Sequence, residues 1–200
     1  MSTMMDEAEA GAGPLGALLA ARIRREREAR GWSIAALAEA SGVSRAMISK
    51  VERAEASPTA ALLSRLSGAF GLTVSTLLAR AEADGAGSRV ARAAAQALWT
   101  DPETGYLRRA LSPAGADPEL VLVELPPGAE VPYGAAAYAF LRGQCVWVLA
   151  GRLTVQEGAE ATELRTGDVL AFDLSTPRGC VFRNPSARVP ARYLVALSRR

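Results

Sequence analysis

The spacing of apolar residues changes once along this 200-residue chain. From Leu15 to Leu78 they recur three or four positions apart, the period of one face of a helix. Beyond a small, polar stretch at 82–92 they come instead as short alternating runs, the period of half-buried strands. The chain is therefore expected to be multidomain, α plus β, with a helical N-terminal half and a strand-rich C-terminal half. Half of its residues are hydrophobic, so each half can bury a core. The expected division is a disordered, acidic tail at 1–13, a helical domain at 14–81, a linker at 82–98 and a strand domain at 99–200.

Breaks at Gly31, Gly42, Ser57-Pro58 and Gly71 cut the first half into five short helices, near 15–30, 34–41, 44–53, 59–70 and 74–80. Ser33, Ser44 and Thr73 are the expected N-caps, and Gly31, Gly42 and Gly71 the C-terminal stops. Within 33–53 the requirements of two steeply crossing helices are all met. Ala38 is small where the helices meet, Gly42 suits a left-handed turn, and Leu37, Val43, Ile48 and Val51 supply the inner faces.

With Ile48 and Val51 committed to the core, the other face of the second helix presents Ser44, Arg45, Ala46, Ser49 and Lys50. Arg can reach guanine O6 and N7 together, Lys suits guanine or phosphate, and Ala46 can lie against a thymine methyl. The free N–H groups of the helix that begins at Ser33 and Ile34 can receive a phosphate, and Arg27 and Arg53 are the expected charged clamps. Arg22, Arg24, Arg25 and Arg30 are read as surface ion-pair partners of Glu26 and Glu28. Charge is distributed to match. Residues 14–82 carry ten Arg or Lys against six Asp or Glu, whereas 101–200 carry eleven of each.

The stretch 33–53 resembles the phage-repressor-like (XRE/Cro) helix-turn-helix family. The resemblance covers residues 15–80 and implies a five-helix, lambda-repressor-like domain that binds a double-stranded DNA operator, usually as a homodimer. By that alignment the family's base-contacting positions fall on Ser44, Arg45, Ala46 and Lys50. A dimer would set two such helices about one DNA turn apart.

In the second half, strand-like runs at 120–125, 145–149, 153–156, 169–172, 181–183 and 193–197 alternate with turn signals such as Pro126-Pro127-Gly128 and Thr166-Gly167-Asp168. The segments 126–128, 146–153, 164–170 and 181–185 together resemble a cupin β-barrel, or double-stranded β-helix. Cupin enzymes hold a metal with histidines and a glutamate, and this chain contains no histidine. The corresponding positions are Gly134, Ala136, Gln144 and Cys180, so no metal, cofactor or catalytic residue is expected. If Gln144 faces inward, alternation takes Val146 and Val148 with it, and Tyr138, Phe140, Cys180 and Phe182 join them around an apolar effector pocket. Side chains filling a closed barrel are the competing reading. Asp101 to Gly105 read as a turn leading to an edge strand, where Arg108 and Arg109 either meet an anionic ligand or, the favoured reading, stand solvated.

Two cysteines are too few for a disulfide framework. The acidic start and the lack of an eighteen-residue apolar run point to a cytoplasmic protein with no membrane span. Together these features predict a transcriptional regulator, not an enzyme, whose barrel binds a small-molecule effector or serves only to dimerise. A metalloenzyme fused to a DNA-binding domain is the alternative that the missing histidines disfavour.

Overall fold

A computed structural model of the chain describes residues 14–82, 89–113 and 115–199. The expected tail at 1–13 and residues 83–88 of the expected linker lie outside the described residues. Five helices come first: α1 (Pro14–Ala29), α2 (Ile34–Ser41), α3 (Arg45–Glu52), α4 (Ala60–Ala69) and α5 (Val74–Glu82). All five match the expected positions within a few residues. Ser33, Ser44 and Thr73 each accept a backbone N–H three residues on, from Ala36, Met47 and Thr76. Leu19, Ile23, Leu37, Ile48, Leu63, Leu66 and Leu77 are almost wholly buried and form the core of the bundle.

Ten strands follow. They are β1 (Leu98–Thr100), β2 (Leu107–Ala110), β3 (Glu119–Leu125), β4 (Glu130–Tyr133), β5 (Leu141–Ala150), β6 (Arg152–Glu157), β7 (Glu160–Arg165), β8 (Val169–Ala171), β9 (Cys180–Arg183) and β10 (Ala191–Arg199). They pair antiparallel into a six-stranded sheet, β1-β2-β3-β10-β5-β8, and a four-stranded sheet, β4-β9-β6-β7. Alternate residues of β3, β5, β9 and β10 are buried between the sheets, which makes the second half a double-sheet barrel.

Three strands had no clear signal. β4 contains Pro132, which its position at the edge of the four-stranded sheet tolerates. β7 is polar because it is the opposite edge, with only Leu164 turned inward. β1 is three residues long, and it covers β2, so β2 is not the edge strand expected there. Arg108, expected to be solvated, is 6% exposed and faces the barrel interior.

The two halves are packed together. α4 lies against β4 and against the 3-10 turn Ala135–Ala137. At Gly68 of α4 an added Cβ would stand 3.3 Å from the Ala136 carbonyl, so only a glycine lets the backbones approach this closely without adjustment. Buried Asp101 accepts the Ala60 N–H at the start of α4 through one oxygen (3.1 Å), and holds its own turn through Thr104 with the other. Glu119 at the start of β3 accepts from Thr73 and Thr76 of α5 and pairs with Arg199 at 3.0 Å. The negative charge thus sits at the N-terminal end of a helix, where the backbone dipoles favour it.

Candidate nucleic-acid interface and barrel cavity

α2 and α3 meet as the residue pattern requires. Leu37, Val43, Ile48 and Val51 are 0–4% exposed. Gly42 takes φ 66° and donates to the Ala38 carbonyl at 2.9 Å, closing α2 in the left-handed conformation that permits the sharp turn. The Ser44 hydroxyl caps α3 through Met47 N. Capping fixes which way α3 emerges, and so which side chains face outward.

Those side chains are Ser44, Arg45, Ala46, Met47 and Lys50, all exposed, with Ser49 half-buried at the margin. Met47 was not foreseen, because its apolar character reads as core; at 38% exposure it is an apolar group on an otherwise polar face. Ser49 Oγ accepts from Arg53, whose guanidinium also spans the Glu55 carboxylate. At the start of α2, whose first residue is Ile34, the Ser33 side chain accepts the Ala36 N–H, one of the first-turn amides that a helix cannot pair within itself.

Arg27 requires a correction. It does not project as a phosphate clamp: its Nε and Nη2 donate to the two Glu52 oxygens at 2.7 and 2.8 Å, and its Nη1 donates to the Trp32 carbonyl. Only 12% of the side chain is exposed. The guanidinium joins the end of α1 to the end of α3 and has no fork left for a ligand. Arg22 and Arg30 pair with Glu26, and Arg24 with Glu28, as read from their spacing.

Inside the barrel Gln144, Val146 and Val148 alternate inward while Cys145, Trp147 and Leu149 are exposed. A cavity of about 50 Å³, partly open to solvent, lies between the sheets and the α4–α5 side of the helical domain. Of the expected pocket residues, Tyr138, Gln144 and Phe182 line it. Val146, Val148 and Cys180 are buried in the packing beyond it, and Phe140 is half-buried outside it. Their place on the wall is taken by Tyr106, Arg108, Tyr133 and Tyr193, and by Ser67, Thr73 and Val74 of the helical domain. Arg108 reads as solvated from sequence because β2 inverts the usual pattern: Leu107 is half-buried while Arg108 is turned in.

Of the four positions where a cupin metal site would fall, Gln144 and Cys180 are buried whereas Gly134 and Ala136 are exposed. Among the described residues no three His, Cys, Asp or Glu side chains cluster as metal ligands. Burial pushes the Cys180 thiol up to about 12, against the opposing pull of its hydrogen bond with the Tyr138 hydroxyl. It is protonated and unreactive at neutral pH.

No single helix among the described residues is long and apolar enough to cross a membrane. Residues 23–77 match the family described as HTH_3, helix-turn-helix. The HTH-type transcriptional regulator SutR of Escherichia coli (strain K12) is 41% identical over 64 residues, which is 32% of this chain and 36% of that protein. The alignment thus takes in about a third of the curated relative's length. A solved HTH_3 family transcriptional regulator from Vibrio cholerae has the same fold across 93% of this chain and 97% of its own, with TM-score 0.72 and 21% identity. A Cupin_2 domain of an XRE family regulator from Enterobacter cloacae aligns over 41% of this chain and 81% of its own at 19% identity and TM-score 0.36. Residues 23–77 are a helix-turn-helix domain of the HTH_3, XRE-like type.

Proposed function

We propose that this chain is a cytoplasmic, sequence-specific DNA-binding transcriptional regulator and not an enzyme, with 14–81 reading a double-stranded operator and 99–200 acting as sensor and dimerisation domain behind the 82–98 joint. The observation that carries this reading is the outward face of α3, where Arg45, Ala46 and Lys50 stand exposed on a helix fixed by its cap and its core. The barrel packs on α4, leaving that face clear. Arg45 is assigned to a guanine, Ala46 to a thymine methyl, and Ser44, Ser49 and Lys50 to neighbouring base or backbone atoms. Ser33, Ile34 and Arg53 are assigned to phosphate, Arg53 by exchanging Glu55 for it.

The cavity behind α4 and α5 supports an effector-binding role for the barrel, since it is concave, mainly apolar and carries a few polar groups. A homodimer is supported by the outer face of the six-stranded sheet. There Leu122, Leu194, Trp147 and Val169 stand side by side across four strands, and Trp147 and Val169 are 47% and 60% exposed.

Genome-wide mapping of bound DNA, followed by titration of the recovered site with Arg45→Ala, tests the DNA reading. The variant is expected to lose about 1–3 kcal/mol at the recovered site and to relax the choice at one base pair. Undiminished, equally selective binding by the variant would sink the assignment of α3 as the reading helix.

A further inference from the structure

Among the residues that line the cavity Arg108 carries a positive charge and none carries a negative one. Arg108 is 6% exposed, yet no carboxylate among the described residues pairs with it. Its Nε and Nη2 donate to the Ser75 hydroxyl of α5, and its Nη1 to the Tyr106 hydroxyl at 3.2 Å. Glu119, at the same end of the barrel, is already matched by Arg199. Tyr106 and Tyr133 hydroxyls lie 2.9 Å apart. A phenol has one proton to give. Whichever of the two donates to the other, the remaining phenolic proton has no acceptor among the described residues. Gln144, 7% exposed and on the same wall, makes no side-chain hydrogen bond among the described residues. Among the described residues only Ser64 Oγ is fully buried without a partner, so these cavity groups stay accessible from the cavity itself; a guanidinium held this deeply without an anion is costly.

From this imbalance we propose that the cavity binds a small organic acid with an apolar body and a single carboxylate, received by Arg108 and the Tyr106–Tyr133 pair, with Gln144 serving a second polar atom of the ligand. The inference rests on the effector-binding reading of the barrel and gives it a ligand class. One carboxylate supplies the single missing charge and the missing acceptors together, and Arg presents a planar fork that suits it. The rings of Tyr133, Phe182 and Tyr193 stack or meet edge to face, offering an apolar seat for the rest of the molecule.

The position of Arg108 also couples the site to the DNA-binding half. Two of its nitrogens are held by Ser75, so an incoming carboxylate competes with a contact that fastens α5 to the barrel. An acid that exchanges that contact binds the docked and loosened arrangements unequally, which is what a ligand needs in order to change operator affinity.

The test uses the full chain, with benzoate, phenylacetate and hexanoate as probes and the corresponding neutral amides as controls, read by calorimetry at millimolar concentration. At least one acid is expected to bind, with its amide weaker by at least about tenfold, the loss of a charge-assisted hydrogen bond. Arg108→Gln and Tyr133→Phe should each weaken that acid, and Tyr133→Phe keeps the test valid should the buried Arg108 prove necessary for folding. Ser75→Ala should bind the acid as tightly as wild type or more so, while operator affinity stops responding to it. If none of the acids binds, or if Tyr133→Phe and Arg108→Gln both bind like wild type, the inference falls. If acid and amide bind equally, the anionic ligand class falls while effector binding stands. Operator binding without ligand, measured on the same preparation, reports separately on the DNA-reading proposal.

Discussion

Glu26 is the residue whose charge the helical domain depends on most visibly. It is 4% exposed on α1 and accepts from three arginines: Arg22 of its own helix, Arg30 at 2.6 Å, and Arg80 of α5 at 2.8 Å. Arg30 donates in addition to the Phe70 carbonyl at the end of α4, so one carboxylate ties together the first, fourth and fifth helices. Burial alone would raise its pKa, but the three guanidinium bonds outweigh that and hold it at about 2, from an ordinary 4.5. Because the folded value lies below the unfolded one, the associated stability is complete above about pH 4.5 and disappears as pH falls toward 2. The shift corresponds to about 3 kcal/mol, reduced to about 2 because the arginines are 25–42% exposed and solvent screens them. More than half of it is gone by about pH 3. Glu26→Gln keeps the size and one acceptor but removes the charge. Urea unfolding followed by helical circular dichroism should place the variant about 2 kcal/mol below wild type at pH 7, with the gap shrinking to about half or less at pH 3. Other carboxylates titrate in both proteins and cancel in the difference. A gap that stays constant from pH 7 to pH 3 would refute the charge-based account of this cluster.

Arg27→Ala is expected to destabilise the helical domain by about 2–3 kcal/mol, because it leaves Glu52 and the Trp32 carbonyl without their shared donor. In the folded variant the salt dependence of operator binding should be unchanged, and a reduced slope would restore Arg27 to the phosphate contacts. Trp147→Glu should convert a dimer to a monomer in light scattering, and an unchanged mass would move the dimer interface elsewhere. A thiol-specific reagent should modify exposed Cys145 rapidly and buried Cys180 only on unfolding. Equal native-state rates would contradict the buried, protonated state of Cys180.

The helix-turn-helix was legible in the sequence because its constraints are local. A cap at Ser44, a left-handed turn at Gly42 and four inward apolar residues all fall within a short stretch, and each has a side-chain type that meets it. Arg27 was misjudged because its partner, Glu52, lies 25 positions away on another helix. An exposed cation and a bridging one look alike until the helices are packed. Alternation from Gln144 placed Val146 and Val148 correctly in the interior but not on the cavity, since the cavity occupies only the end of the barrel nearest the helices. β4 and β7 owe their existence to pairing with β9 and β6, not to their own composition.

The helical domain carried a signal of its own that bears on regulation. Six of ten residues in α4 are buried, more than the single stripe that a surface helix buries, and Ser64, Ser67, Thr73, Ser75 and Thr76 of α4 and α5 are buried hydroxyls. In a domain that stood alone such hydroxyls would be exposed or would point to a neighbour. Here Thr73 and Thr76 meet Glu119, Ser75 meets Arg108, and the first amide of α4 meets Asp101. A joint built from hydrogen bonds differs in its energetics from one built from apolar area. Water replaces each bond when the halves part, so a typical bond contributes only about 0.5–1.5 kcal/mol net. Several together hold the halves by a few kcal/mol, the range in which one ligand's differential affinity can tip an equilibrium. Under the proposed effector reading, the serines and threonines that meet one arginine and two carboxylates are the part of the α4–α5 docking that a ligand in the barrel would compete with, beside the apolar contacts of a core shared by both halves.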